Sequence, residues 1–337
     1  MRINNLFSYA TSELSQDAFI CWLLSHAREE GWDFCKEIRE CAIDFMKVIL
    51  SSKGFEWKQS TRITDIKKQY KNIDVLVEVG EIKVIIEDKT FTDTHNNQIN
   101  RYKNYLIEKD EIDEKNIICV YYKIEEQPYP EPYVDIEFTR KDMLNIFSRY
   151  KNSIKSSIFV DYLEYLEWID EEVNLYTKLN IDAWWKNGRA YIGFFKHLQE
   201  TLLKEESVGW GYVPNPTGGF MGLWWYNLFT EEELIRMGFG EYSSNLYIQI
   251  ENDTIAVKYS LDVGQVKDWQ QVYKLRWGLY KNLKIILGNE FEKKRYARGH
   301  AMTVGLIKYN EKNYEEKLTL VHNAMLSLKE KDFASYL

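Results

Sequence analysis

The sequence has no long hydrophobic run and few residues that interrupt regular structure. Its longest apolar stretch, residues 18–24, holds seven residues, whereas a helix that crosses a bilayer needs about 20. The first residues lack the basic stretch and apolar core of a secretory signal, so we expect a cytoplasmic protein with no membrane partner. Only 5 Pro and 17 Gly occur among 337 residues, which favours a globular chain over a disordered one.

Cysteine is also scarce, and its spacing lacks the patterns of common metal sites. The four cysteines are Cys21, Cys35, Cys41 and Cys119, and no two of them form a C-x-x-C pair. All four lie in segments with helix or strand patterns. We therefore expect reduced, buried thiols in a cytosolic protein.

An excess of positive charge is absent as well. The net charge is -8, with 21 basic against 27 acidic residues in 1–150 and 23 against 25 in the rest. Nucleic-acid binding would therefore depend on a local basic patch or on a metal that offsets clustered carboxylates. The sequence has no P-loop, G-x-S-x-G or H-E-x-x-H motif. Their absence excludes a P-loop nucleotide site and two classes of hydrolase.

The order of predicted elements divides the chain into two domains, 1–150 and 151–337. Apolar periodicity in the first domain predicts two helices, three strands, a helix with Asp93 or Thr94 as its cap, and a buried strand. These segments are approximately 12–28, 33–50, 56–66, 73–79, 82–90, 94–107 and 117–124. In the second domain, helices at about 155–206 precede short strands at about 208–260 and further helices, which predicts an aromatic-rich α+β region.

The segment at 72–90 predicts a tight β-hairpin. If Gly80-Glu81 is a two-residue turn, the numbers of opposing residues sum to 161, and Asp74 faces Glu87. Alternate side chains point to one face, which is apolar until Asp88 near its end. The apolar positions are Ile73, Val75, Val77, Val79, Ile82, Val84 and Ile86. We expect this face to be core.

The opposite face of the hairpin carries charge. Glu78 faces Lys83 near the turn, an ordinary cross-strand ion pair, while Asp74, Glu87 and Lys89 converge at the far end. Opposed carboxylates, with Cβ atoms roughly 4.5 to 5.5 Å apart, repel each other unless a cation or a proton intervenes. Mg²⁺ is commonly held by one or two carboxylates together with waters and phosphate oxygens. The alternative is a solvated sheet face on which the lysine neutralises its neighbours.

Asp74 followed by Glu87-Asp88-Lys89 resembles the signature of the PD-(D/E)XK nuclease superfamily. The predicted order α, β, β, β, α, β is similar to the common core of that superfamily, in which the first acid and the E-x-K pair lie on adjacent strands. Ile73 stands where the signature has proline, a frequent replacement there. The resemblance implies an α/β, restriction-endonuclease-like αβββαβ core with a mixed central sheet.

Two further features are similar to branches of the superfamily. Gln98 and Tyr102 match the Q-x-x-x-Y element of RecB-like members, in which these side chains support the lysine or contact the DNA backbone. Glu13, in TSELSQDAF, matches a first-helix glutamate that lies beside the metal, and Asp17 is a second candidate one turn later. The alternatives are a packing stripe for the tyrosine and acids favoured by the helix dipole.

The resemblance implies a role for each of these residues. Asp74 and Glu87 would be catalytic metal ligands, Glu13 an accessory catalytic acid and metal ligand, and Lys89 the residue that orients or activates the attacking water. Gln98 and Tyr102 would bind substrate or hold the lysine. The expected cofactor is Mg²⁺, for which Mn²⁺ can substitute, and the expected partner is nucleic acid, with DNA favoured over RNA. Bacterial defence or DNA processing would suit such a nuclease.

The second domain has no motif that names its role. Its tryptophans, among them Trp184-Trp185 and Trp224-Trp225, can stack on bases or fill a core. The residues Lys293, Lys294, Arg295 and Arg298 form the best local basic patch, for phosphates or as a solvated face. A non-catalytic protein that keeps the nuclease fold and binds nucleic acid or protein is the rival hypothesis, and an RNase is a third. A homo-oligomer is left open.

Overall fold

The structure is a computed structural model that describes residues 4–28, 35–90, 97–184, 187–215, 218–239, 243–295, 298–329 and 331. The chain forms two compact units, Met1–Glu171 and Glu172–Leu337. Their division falls later than residue 150, where we placed it from the sequence. Aromatic packing explains the difference, because Tyr162 stacks on Phe19 with ring centroids 3.7 Å apart. The segment after 150 therefore belongs to the first core.

The first unit is a mixed α/β structure, which confirms the predicted class at this level. Its helices are α1 Glu13–Ser25, α2 Lys36–Ser51, α3 Gln98–Lys109, α4 Arg140–Phe147 and α5 Ser157–Val173. Its strands are β1 Asp65–Tyr70, β2 Ile73–Val79, β3 Ile82–Lys89, β4 Ile117–Lys123 and β5 Ile136–Thr139. They form one sheet in the order β1-β2-β3-β4-β5. The pairs β1-β2 and β2-β3 are antiparallel, and β3-β4 and β4-β5 are parallel.

The predicted hairpin register is confirmed. Val79 pairs with Ile82 across the turn and Glu78 pairs with Lys83, so opposing numbers sum to 161 as expected. Gly80 has a φ of 59°, a left-handed conformation that glycine adopts at little cost. The Lys83 Nζ lies 2.7 Å from the Glu78 Oε2, which confirms the ordinary ion pair near the turn.

Both faces of the hairpin are covered. On the charged face, α3 packs Ile99 and Leu106 over Leu76 and Ile85. Helix α1 contacts β1, β2 and β3. The alternative of an open, solvated sheet face is therefore wrong, since Glu87 has no solvent-exposed area. Charged side chains at this end of the sheet lie in a largely dry environment.

The predicted strand at 56–66 is wrong in its bounds. Strand β1 spans Asp65–Tyr70, and Tyr70 pairs with Ile73 through a two-residue turn. Lys71 and Asn72 in that turn have φ values of 54° and 71°. The turn sets where the strand must end, and pairing with β2 sets where it begins. The predicted cap at Asp93 or Thr94 lies outside the described residues, and α3 begins at Gln98.

The second unit has a separate, fully antiparallel sheet and matches the predicted α+β pattern. Its helices are α6 Ile181–Trp184, α7 Gly188–Glu200, α8 Glu231–Arg236, α9 Trp269–Leu287 and α10 Tyr314–Leu326. Its strands are β6 Val208–Val213, β7 Phe220–Trp225, β8 Ser243–Glu251, β9 Thr254–Leu261 and β10 Ala301–Lys308. The sheet order is β10-β9-β8-β7-β6. We predicted only helices after residue 260, so β10 was missed.

Several of the tryptophans and two of the thiols lie in the cores. Trp184, Trp210 and Trp225 are buried in the core of the second unit, as the packing interpretation expects. All four cysteines are free thiols. Two of them are buried and two, Cys21 and Cys35, are half-buried. Among the described helices, none is both long and apolar enough to cross a membrane.

Candidate active site

One lysine and three carboxylates meet where β2 and β3 approach the start of α1. The Lys89 Nζ lies 2.5 Å from Glu87 Oε1, 3.7 Å from Asp74 Oδ2 and 3.9 Å from Glu13 Oε2. The structure thus brings together all four side chains to which the sequence analysis gave a catalytic role. Considering these four described side chains alone, one ammonium group faces three acids, so the group carries excess negative charge when the acids are ionised.

The Asp74 carboxylate is held by the backbone and by a glutamine that the sequence analysis missed. Its Oδ2 accepts a hydrogen bond from the Asp88 backbone N–H at 3.1 Å, and its Oδ1 accepts one from Gln69 Nε2 at 3.1 Å. The same Gln69 amide lies 3.3 Å from Asp17 Oδ2. Gln69 has a φ of 55° near the end of β1. Its role follows from that unusual backbone position, which no local motif indicated.

The first turn of α1 is tied to the end of β3. Glu13, the first helical residue, accepts a hydrogen bond at Oε1 from the Thr90 backbone N–H at 3.2 Å. Gln16, one turn later, donates from Nε2 to Thr90 Oγ1 at 2.6 Å. The helix dipole favours an acid at this position. The dipole alone does not explain why Glu13 also lies within 3.9 Å of the Lys89 ammonium.

Burial sets the protonation of Glu87. Loss of solvent raises the pKa of the Glu87 carboxyl to about 8, and repulsion from Asp74 acts in the same direction, while the bond from Lys89 opposes both. The Glu87 Oε2 atom is buried and has no hydrogen-bond partner among the residues that the structure describes. Burial disfavours charge on Lys89, but bonding to Glu87 and attraction to the acids outweigh it and raise the Lys89 pKa. The lysine is therefore a fixed cation.

Two more acids lie around this cluster. Asp88 has no exposed area, and within the described part of the chain neither of its carboxylate oxygens has a hydrogen-bond partner. Burial, followed by repulsion from Asp17, raises the pKa of Asp88 well above its ordinary value. Burial together with repulsion from Asp74 raises the pKa of Asp17 to about 6. Burial thus favours the protonated form of Asp88, and Asp17 lies beside the site as a second acid with a raised pKa.

The donor set suits a metal that needs few protein ligands. Among the described residues, no group of three or more His, Cys, Asp or Glu side chains is placed to hold a metal ion. Mg²⁺ needs only one or two protein carboxylates, because waters and substrate phosphate oxygens complete its octahedron. The unpartnered Glu87 Oε2 beside Asp74 fits that requirement. Glu13 is bonded to Thr90 and is the outermost of the three acids.

Gln98 and Tyr102 lie on the helix that covers this face. The Gln98 Nε2 donates to the Tyr102 hydroxyl at 2.6 Å. The tyrosine ring is buried with Ile99 and Leu106, as the packing alternative expects. Burial raises the Tyr102 pKa, and the charges of Glu87 and Asp74 raise it further. Gln98 and Tyr102 are thus joined to each other on the helix that covers this face.

A second buried lysine follows the neighbouring strand. Lys123 ends β4, where its Cα pairs with that of Lys89 in the parallel ladder. Its Nζ lies 3.2 Å from the Tyr121 hydroxyl, and the residue is nearly inaccessible to solvent. Lys123 was not among the predicted site residues. The signal available was a lysine at the end of a strand that was predicted to be buried.

Comparison with known proteins assigns no family to the chain. No protein-family model matches it, and no curated protein or solved structure matches it. The function is therefore inferred from the chemistry and geometry of the site itself.

Proposed function

We propose that the first unit is a metal-dependent nuclease of the PD-(D/E)XK type, with a restriction-endonuclease-like core, that hydrolyses phosphodiester bonds and has DNA as its expected substrate. One observation carries the proposal. The Lys89 ammonium lies within 3.9 Å of three carboxylates from two strands and a helix, and one of them, Glu87, is fully buried with an unpartnered oxygen.

A purely structural role explains this cluster poorly. Buried charges in protein cores are usually paired, because an isolated buried carboxylate costs several kcal/mol. Here one ammonium lies within 3.9 Å of three acids, and burial together with repulsion from Asp74 raises the Glu87 pKa to about 8. A buried carboxylate with such a shift beside a specific charge partner is typical of functional sites. The excess negative charge favours a cation supplied from solution.

The residues divide the work of phosphodiester hydrolysis. Asp74 and Glu87 would hold Mg²⁺, or Mn²⁺ in its place, with Glu13 as an accessory acid. The ion, when bound, polarises the phosphodiester and lowers the pKa of water. Lys89 stays protonated, so it can donate hydrogen bonds that orient the attacking water and stabilise charge on the phosphoryl group. Gln98 and Tyr102 lie on the covering helix, where they can contact the backbone of the substrate.

The decisive experiment compares site variants with a matched pair from the same hairpin. Supercoiled DNA, linear DNA and RNA are incubated with the protein in Mg²⁺, Mn²⁺ or EDTA. The site variants are Asp74→Ala and Lys89→Ala. The controls are Glu78→Ala and Lys83→Ala, which break an ion pair of similar length on the same two strands, at the end next to the turn.

We expect metal-dependent cleavage that both site variants abolish and both control variants keep. Relaxation of closed circles would identify endonuclease action, and cleavage of RNA alone would reassign the substrate. Cleavage that survives in Asp74→Ala and Lys89→Ala would exclude these residues as the active site. Tight binding without cleavage in every metal would support the non-catalytic alternative.

A further inference from the structure

The charged side chains of the longest helix in the second unit are all positive. Helix α9, Trp269–Leu287, contains Lys274, Arg276, Lys281 and Lys284 and no Asp or Glu. The chain as a whole has a net charge of -8. A helix without a single acid is therefore a local departure from the composition. Such a concentration of positive charge on one element is typical of surfaces that bind phosphates.

The start of α9 forms one wall of an open pocket of about 350 Å³. The pocket is lined by Trp269, Gln270, Tyr273, Arg276 and Arg298, together with apolar side chains. We call it the α9 pocket. Its volume lies in the range of sites that take small organic ligands. Every side chain that lines it belongs to the second unit.

Two guanidinium groups of different character reach the α9 pocket. Arg276 is only 1% exposed, and its Nη2 donates to the Thr303 backbone carbonyl, which fixes the side chain in the wall. Arg298 is exposed and lies over the Trp269 ring, 5.3 Å from its centroid. Within the described part of the chain, no carboxylate lies within ion-pair distance of Arg298. Its charge is thus available to an anion from solution.

Aromatic side chains give the α9 pocket a second kind of contact. The Trp269 indole is half-buried, and Tyr273 is 48% exposed, so both can offer a ring face to a planar ligand. The exposed Gln270 amide can both donate and accept hydrogen bonds. Exposed Lys293, with its Nζ 4.4 Å from the Trp277 ring centroid, adds charge beyond the pocket. Aromatic rings beside guanidinium groups are suited to a nucleotide, because its base can stack on a ring and its phosphate can pair with a guanidinium group.

We propose that the α9 pocket binds a nucleotide. The base would lie against Trp269 and Tyr273, and the phosphate would bind the guanidinium groups of Arg276 and Arg298. The ligand is either a free nucleotide or one nucleotide of a single strand, since both present the same ring and phosphate. An acidic peptide offers the charge but no planar ring for the aromatic wall. This inference goes beyond the proposed nuclease activity and does not depend on it.

The test measures binding by the full-length protein in EDTA, where the proposed metal-dependent cleavage cannot occur. The probes are a fluorescein-labelled dT12 strand, followed by anisotropy, and unlabelled dAMP as competitor. The variants are Arg298→Ala and Arg298→Lys. The lysine variant keeps the positive charge but lacks the planar guanidinium group. Lys308→Ala is the control. Lys308 is exposed at the end of β10, and the pocket residue Met302 lies on the same strand roughly 20 Å away.

We expect Arg298→Ala to weaken dT12 binding at least tenfold, Arg298→Lys to weaken it less, and Lys308→Ala to leave it within twofold. The salt dependence should fall by about 0.7 in the slope of log K against log salt for one lost phosphate contact. Displacement of dT12 by millimolar dAMP identifies a free nucleotide as a sufficient ligand, and persistent binding identifies a strand.

Three results would overturn the α9 pocket as a nucleotide site. They are unchanged binding in Arg298→Ala, no binding of either probe, and displacement of dT12 by polyglutamate at the concentration used for dAMP. Each would leave the cleavage experiment untouched, since that experiment depends on Asp74 and Lys89. Circular dichroism melts of each variant separate loss of the pocket from loss of the fold.

Discussion

Two hairpins, one in each unit, contain a buried glutamate, and the two glutamates differ in the number of cations and hydrogen-bond donors around them. In the second unit, Glu251 at the end of β8 lies 2.5 Å from the Lys258 ammonium, accepts from Gln249 at 3.1 Å and lies 3.9 Å from Lys294. One carboxylate there has two cations and an amide. In the described part of the first unit, Glu87 shares Lys89 with two other acids and has one oxygen without a hydrogen-bond partner.

The difference separates a charge cluster that supports the fold from one that is suited to chemistry. The acid of the second unit has two ammonium groups within 3.9 Å, whereas burial raises the pKa of Glu87 to about 8. A surplus of acids costs stability when no cation is bound, and it creates affinity for one. Excess charge at the end of β3 is therefore the feature to perturb.

The largest contrast concerns the two lysines. Lys89→Ala should lower the rate of DNA cleavage by roughly 100-fold or more, because it removes a preorganised cation from the reacting group. Lys258→Ala should leave the rate per folded molecule unchanged. Initial rates on supercoiled DNA, corrected for the folded fraction by circular dichroism, measure both. Equal losses in the two variants would remove the distinction between the hairpins.

The second contrast reverses the order of the lysines and concerns stability. Lys258→Ala should lower the free energy of unfolding of the second unit by about 2 kcal/mol, because it removes the closest cation from a largely buried Glu251. Urea denaturation followed by tryptophan fluorescence measures the loss. The double variant with Glu251→Gln should recover part of it. No recovery would mean that packing of the lysine stem causes the effect.

The third contrast is in pH dependence and needs metal-free protein. The folded pKa of Glu87, about 8, lies above its ordinary value of 4.5, so the folded state binds more protons than the unfolded state between these values. The free energy of unfolding contributed by Glu87 is therefore fully present below pH 4.5 and is lost as the pH rises to 8. In EDTA, the melting temperature of wild type should fall relative to Glu87→Gln over this range. A constant difference between the two would contradict the shift.

The smallest expected effect tests the residues on the covering helix. Tyr102→Phe removes the hydroxyl that accepts from Gln98 and should slow cleavage about fivefold, the size of one neutral hydrogen bond. Tyr259→Phe removes a buried hydroxyl from the second unit, where it donates to the Val272 carbonyl at 3.2 Å, and should not change the rate. A loss in both variants would indicate a general effect of core hydroxyls rather than a contribution from Tyr102.

The parts of the site that follow from local geometry could be predicted from the sequence. The Gly80-Glu81 turn is a two-residue signal, and it sets the pairing of Glu78 with Lys83 that the structure confirms. Once that register is set, alternation places Asp74, Glu87 and Lys89 on one face. The convergence of these side chains followed from a turn and a period of two.

The parts that depend on pairing distant in the chain could not be predicted in this way. Gln69 reaches Asp74 only because β1 ends in a tight turn at Lys71-Asn72, and the sequence analysis placed that strand too early. Strands β9 and β10 pair in the sheet, but the whole of α9 separates them in the chain. No turn sequence next to β10 therefore predicts the strand. The partners of these segments, rather than their own residue patterns, decide their structure.

Because the turn has a fixed length of two residues, the number of residues in each arm of the hairpin decides on which face of the sheet Asp74 and Glu87 lie. Deleting Val77 and Val84 would shorten each arm by one residue and would carry Asp74 and Glu87 to the opposite side of the sheet. Deleting two residues from each arm would restore their side and would move them about 7 Å toward Gly80. Only an even change in arm length preserves the site, so insertions here are restricted in number as well as in composition.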